Sequence, residues 1–162
     1  MNGYNIPYHS NVWFILITIV VMYTLQLLLP KRFALFQSVL FTLAGITFVI
    51  IFDNTICVPP FDYYDINKYS SFELMDFLAY AMYGPISYLY IYFYDKFQVK
   101  GYYNLIYILL WTVLAILAEY VAVVMGVYHY KHGYTILFSI PVYLFVQSLN
   151  TVLYHVVVSS RK

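Results

Sequence analysis

The 162-residue chain is 64% hydrophobic and only 9% charged, whereas soluble domains are about 45–50% apolar and about 25% charged. A water-soluble globule of this size leaves much of its surface in water, so the apolar excess indicates lipid as the solvent and excludes a soluble fold. The net charge of +1, with eight scattered basic residues, excludes a nucleic-acid partner, which requires clustered Lys and Arg.

Five largely uncharged apolar runs predict five transmembrane helices in a single domain, residues 1–162. A helix needs roughly 20 apolar residues to cross the hydrocarbon core, and the runs have about that length. In chain order the predicted spans are 12–29, 33–52, 72–94, 103–128 and 134–158. Only Pro30, Lys31 and Arg32 separate the first two, which predicts a tight helical hairpin. The expected fold is an all-α polytopic bundle with one longer loop, 53–71.

The distribution of Lys and Arg predicts how the bundle is oriented, because basic residues are held on the cytoplasmic side during insertion. With five spans, six basic residues fall on one face and two on the other. The six are Lys31, Arg32, Lys96, Lys100, Arg161 and Lys162, and the two are Lys68 and Lys131. We therefore expect a multi-pass protein of the cell (cytoplasmic) membrane, with its N-terminus and loop 53–71 outside and its C-terminus in the cytoplasm.

The acidic residues predict a polar site in the outer half of the membrane. Of the seven, only Asp95 falls outside that half. Glu119 lies about sixteen residues into the fourth span, roughly 24 Å along the helix, and Asp76 has a comparable depth in the third. Ala115 and Ala122 share a helix face with Glu119, and small residues mark close helix contacts in membranes. Glu119 should therefore face the bundle, where a carboxylate costs enough free energy to make it a functional candidate.

These positions suggest an outward-facing acidic pocket for a cation, a proton or a small polar ligand. The candidate ligand-binding residues are Glu119, Asp76, Asp53, Tyr80 and Tyr83. His129 and His132 lie three residues apart in an outer turn and form, with Glu119, a candidate divalent-metal set, since carboxylates and imidazoles together suit Zn²⁺. The alternative is structural: Glu119 accepts hydrogen bonds from tyrosine hydroxyls, or pairs with Lys131 or a histidine, and so locks the helices together.

Three features resemble a group of small, uncharacterised multi-pass membrane proteins from Gram-positive spore-forming bacteria. They are the segment Pro60-Phe61-Asp62-Tyr63-Tyr64-Asp65, the lone Glu119 of the fourth span, and the turn Tyr128-His129-Tyr130-Lys131-His132-Gly133. The resemblance implies a protein of about five spans. It implies no activity, so no functional residues are carried over.

Two classes of function remain open on the sequence. One is binding of the pocket ligand in sensing or transport, with no cofactor identified. The other is a non-catalytic accessory subunit, whose apolar faces dock onto another membrane protein or onto a second copy of the chain. The sequence contains no P-loop, G-x-S-x-G, H-E-x-x-H or dinucleotide fingerprint, which disfavours an enzyme.

Overall fold

Five long helices and one short β-ribbon make up the described part of the chain, residues 10–66 and 74–159 of a computed structural model. The helices are α1 (Ser10–Leu28), α2 (Leu35–Ile56), α3 (Leu74–Lys96), α4 (Tyr103–Val124) and α5 (Ser139–Ser159), with a 3₁₀ turn at Ile136–Phe138. Strands β1 (Tyr64–Ile66) and β2 (Tyr128–Tyr130) form the ribbon. The predicted all-helical class is confirmed.

Four of the described helices are long and apolar enough to cross a membrane: α1, α2, α4, and α5 together with its preceding turn. Their surfaces carry large exposed apolar side chains, such as Leu27 and Leu35, which are 80% and 82% exposed. Because water would oppose such exposure, these faces suit contact with lipid.

Helix α3 has a different composition because it occupies the centre of the bundle. It packs against α1, α2 and α5, and Tyr90, Ile91 and Tyr94 are at most 1% exposed. A side chain surrounded by other helices needs packing partners and hydrogen bonds rather than affinity for lipid. The tyrosines of α3 therefore lower its hydropathy below that of the other four helices without placing hydroxyls in hydrocarbon.

Side-chain contacts give the relative directions of the helices. Ser87 donates to Asn150 Oδ1 at 2.6 Å, and the Tyr94 hydroxyl lies 3.0 Å from His155 Nε2, so α3 and α5 run parallel. Tyr94 also donates to Asn104 Oδ1 at 2.6 Å. The end of α3 thus meets the start of α4, and these two helices run antiparallel. Helices α4 and α5 therefore also run antiparallel.

Two glycines allow α2 and α3 to approach closely. A Cβ atom on Gly45 would lie 2.5 Å from the backbone oxygen of Tyr83 and 2.7 Å from Ser87 Cβ. A Cβ on Gly84 would lie 2.9 Å from Thr42 Cγ2. Any larger residue at Gly45 would push the two helices apart, because a backbone atom stands in its way.

The ribbon closes one end of the bundle. Strands β1 and β2 pair antiparallel, with Tyr64 opposite Tyr130 and Ile66 opposite Tyr128. The predicted fourth span, 103–128, was therefore too long: α4 ends at Val124, Gly126 has a φ of +77°, and the chain then extends into β2. The predicted loop 53–71 also contains regular structure that was not predicted, because α2 continues to Ile56 and strand β1 follows.

An ion pair and a hydrogen bond, both to Asp95, join three elements at the opposite end of the bundle. Arg32, in the α1–α2 turn, lies 2.6 Å from Asp95 Oδ2 at the end of α3. The hydroxyl of Tyr154 on α5 donates to the other oxygen of Asp95 at 2.7 Å. Lys31 and Lys96 belong to the same end of the bundle. Lys68, Glu73, Arg161 and Lys162 lie outside the described residues.

Candidate functional site

The alternation of side chains along the ribbon directs three tyrosines into the bundle. Successive residues of a strand point to opposite faces, so Tyr64, Tyr128 and Tyr130 share the inner face, while Asp65 and His129 share the outer face. Burial agrees with this assignment, since Tyr128 is buried and His129 is exposed. The hydroxyl groups of these three tyrosines therefore lie next to the adjacent helix ends.

Glu119 is the buried carboxylate of α4, only 7% exposed. Its Oε1 atom accepts hydrogen bonds from the Tyr130 hydroxyl and, at 2.7 Å, from Ser139 Oγ at the start of α5. Tyr134 lies 3.0 Å from the same serine hydroxyl. The Tyr143 hydroxyl of α5 also interacts with this carboxylate, although within the described part of the chain no hydrogen bond of good geometry reaches Glu119 Oε2. One oxygen of this carboxylate is thus held in place while the other remains available as an acceptor.

Asp53, in the last turn of α2, is the second buried carboxylate, 5% exposed. The Tyr64 hydroxyl donates to its Oδ1 at 2.6 Å. Burial, followed by the negative charge of Asp53, raises the pKa of Tyr64 well above its usual range. The same two causes raise the pKa of Cys57 to about 12. Tyr64 therefore stays a hydrogen-bond donor, and Cys57 stays a thiol, at neutral pH.

Tyr83 and Tyr128 form a hydroxyl–hydroxyl pair between α3 and the ribbon. Tyr130 lies in the same strand as Tyr128, and burial together with its hydrogen bond to Glu119 raises the pKa of Tyr130. Tyr80 is buried in α3, 7% exposed, but does not line the cavity described below.

Both carboxylates open onto one interior cavity of about 420 Å³. Its volume lies within the range of about 300–1,000 Å³ that is usual for small-molecule sites. All five helices contribute to a wall that is mainly apolar. Deeper polar groups come from Ser87, Gln147 and Asn150, and Gln147 Oε1 also lacks a partner among the described residues. The cavity therefore combines an acidic end, a mostly apolar body and one further polar patch.

The basic residue nearest the ribbon does not reach Glu119. Lys131 Nζ lies 2.7 Å from Asp65 Oδ1 and 3.7 Å from Asp62 Oδ1, and its hydrogen bond to Asp65 raises the pKa of Lys131. Of the structural alternatives for Glu119, the hydrogen bond from a tyrosine is present and the ion pair with Lys131 is not.

The two histidines lie on the exterior, apart from the buried carboxylate. His129 is on the outer face of the ribbon, and His132 is exposed, with Nδ1 2.9 Å from the carbonyl oxygen of Asp62. Across residues 10–66 and 74–159, no three His, Cys, Asp or Glu side chains could hold a metal ion together. The predicted set of His129, His132 and Glu119 is not brought together.

Sequence reasoning identified part of this site. Glu119 faces inward as its spacing predicted, and Asp53 and Tyr83 line the same cavity. The side chain of Asp76 lies outside the described residues. The donors Tyr130 and Ser139 were missed, although the alternation of Tyr128, His129 and Tyr130 is a strand-like signal that could have indicated the first.

No protein-family model, curated protein or solved structure matches this chain.

Proposed function

We propose that this chain is a five-span protein of the cytoplasmic membrane that binds a small ligand in its interior cavity, for sensing or transport. The ligand carries a cationic or hydrogen-bond-donating group, and Glu119 is its anchor. The proposal rests on the unpaired oxygen of Glu119. The side chain of Glu119 is only 7% exposed and lines the cavity, and its Oε2 atom has no hydrogen-bond partner among the described residues. A buried unpaired acceptor costs about 1–3 kcal/mol or more, which a bound donor would offset.

The five-span topology is supported by α3 itself. Its 23 residues correspond to about 34 Å of helix at 1.5 Å per residue, which is enough to cross the hydrocarbon core. It also runs parallel to α5 and antiparallel to α4, as an alternating bundle requires. The basic residues Lys31, Arg32, Lys96 and Lys100 are near the end of the bundle opposite the ribbon, which favours a cytoplasmic location for that end.

A thermal-stability assay tests the binding proposal. The purified protein in a mild detergent is titrated separately with Na⁺, Mg²⁺, Zn²⁺ and ethylammonium. A ligand at a hundred times its Kd stabilises the folded state by about 2.7 kcal/mol. We expect at least one of these cations to stabilise the wild type and not Glu119→Gln, which keeps the shape of the side chain and loses its charge.

Asp62→Asn is the matched control, because Asp62 lies in the loop before β1 and not on the cavity wall. It should respond as the wild type does. If none of the four cations stabilises the wild type, or if Glu119→Gln responds equally, the proposal is wrong. A stoichiometric membrane-protein partner found together with that negative result would favour an accessory subunit instead.

A further inference from the structure

Side chains of α1 and α4 line the interior cavity and are also exposed at the surface of the bundle. Helix α1 packs mainly on α3, and α4 mainly on α5. At the ribbon end, Ser10 Oγ of α1 donates to the carbonyl oxygen of Met125, just after α4, at 3.1 Å. Leu25 of α1 and Leu114 of α4 line the cavity and are nevertheless 44% and 47% exposed. The same side chains thus face both the cavity and the outside, as at a lateral opening.

The chemistry of the cavity changes along its length. At the ribbon end, Glu119 Oε2 is a carboxyl oxygen without a hydrogen-bond partner among the described residues. Trp111 precedes Glu119 by eight residues on α4, which places it roughly 12 Å away along the helix. Between these positions, Leu114, Ala115 and Ala118 provide an apolar wall. This arrangement is complementary to a molecule with an N–H-bearing cationic head and an apolar tail.

The volume of the cavity limits the size of that molecule. About 420 Å³ lies near the lower end of the range of about 300–1,000 Å³ that is usual for small-molecule sites. A single short alkyl chain fits this space, whereas the two acyl chains of a phospholipid do not. A bare metal ion would leave the apolar part of the cavity unfilled, and an anion would be repelled by the carboxylates.

We propose that the ligand is a single-chain amphipathic amine that enters from the lipid between α1 and α4. Its ammonium group donates to Glu119 Oε2, and its tail lies along α4 towards Trp111. This inference rests on the proposed function and names the ligand class for the same cavity. Each methylene that leaves water for the apolar wall should tighten binding from water about fourfold.

The chain contains two tryptophans, so Trp111 can serve as a reporter. Trp13 is 64% exposed on α1, and Trp13→Phe leaves Trp111 as the single tryptophan, which can be excited selectively over tyrosine. This variant is placed in phosphatidylcholine nanodiscs with a tryptophan-free scaffold protein, whose lipid contains no primary amine, and titrated with a terminally brominated octylamine. We expect saturable quenching of Trp111 by the bromine. Glu119→Gln in this background should lose that quenching, and Asp62→Asn should retain it.

Three controls separate binding in the cavity from partitioning into lipid. The brominated octanol has the same tail without the charge, and it should quench only in proportion to its membrane concentration. The variant Trp111→Phe retains the exposed Trp13 and should give no saturable quenching. Ala118→Phe, which narrows the lateral opening at an exposed position, should slow the onset of quenching in a stopped-flow measurement.

The results distinguish this inference from the proposed function. If ethylammonium stabilises the wild type through Glu119, but the brominated amine quenches no better than the alcohol, the ligand is not amphipathic and this inference alone is wrong. If phosphatidylethanolamine in the nanodiscs competes with the amine, the single-chain assignment is wrong. If neither amine binds but a metal cation stabilises the wild type through Glu119, this inference alone is wrong. If none of the four cations stabilises the wild type, both proposals are wrong.

Discussion

Replacing Gly45 by Ala should destabilise the bundle, because the new methyl group has no space between α2 and α3. Its Cβ would lie 2.5 Å from the Tyr83 backbone oxygen and 2.7 Å from Ser87 Cβ, both far inside van der Waals contact. Such overpacking costs about 1–3 kcal/mol. Alanine regains about 0.5–1 kcal/mol of helix propensity over glycine, which leaves a net loss of about 0–2.5 kcal/mol, centred on about 1 kcal/mol.

A second glycine and an exposed position supply the controls. Gly84→Ala should cost less, because the nearest obstacle, 2.9 Å away, is a methyl group of Thr42 rather than a backbone atom. Thr47→Ala is on an exposed part of α2 and should change little. The measurement is the free energy of unfolding of the three variants in one detergent, by titration with a denaturing detergent. If Gly45→Ala is as stable as Thr47→Ala, α2 and α3 do not approach as closely as described.

The same comparison relates packing to the candidate site. Asp53 lies two helical turns beyond Gly45 on α2, and Tyr83 belongs to the facing stretch of α3. Separating these helices would also move the wall of the cavity. We therefore expect Gly45→Ala to weaken binding of the stabilising cation, and Thr47→Ala to leave it unchanged.

Three further outcomes follow from single contacts. The pKa of Cys57 is raised from 9.0 to about 12, so about one part in a thousand of this thiol should be ionised at pH 9. Iodoacetamide should therefore alkylate Cys57 far more slowly in the folded protein than in the SDS-unfolded chain. The folding stability linked to the protonated thiol is present below pH 9.0 and is lost as the pH rises towards 12. Tyr130→Phe removes a hydrogen-bond donor from buried Glu119 and should lower the free energy of unfolding by about 1.5–3 kcal/mol. The control Tyr120→Phe, at a side chain that is 61% exposed, should lower it little, and equal losses would contradict the hydrogen bond. Asp95→Asn breaks an ion pair that is partly exposed to solvent and should lower the free energy of unfolding by about 1 kcal/mol. The loss should be smaller in high salt, and a loss that does not depend on salt would argue against an electrostatic origin.

The sequence alone predicted the helical class, the α1–α2 hairpin and the inward orientation of Glu119, but not the β-ribbon. Long apolar runs predicted membrane-spanning helices, and four described helices are long and apolar enough to cross a membrane. The three-residue separation at Pro30 predicted the α1–α2 hairpin. The spacing of Glu119 with Ala115 and Ala122 predicted its inward face, and Glu119 is buried. These features depend on local composition and periodicity, which are properties of a continuous segment.

Only the tertiary structure decided which distant side chains meet. Strands β1 and β2 lie more than sixty residues apart, and their pairing brings the Tyr64 hydroxyl to Asp53 and the Tyr130 hydroxyl to Glu119. The central position of α3 likewise depends on how the other helices surround it: its lower hydropathy fits a central position but does not specify which helices pack against it. A hydrogen bond between distant segments depends on the register of both, and neither segment contains that information by itself.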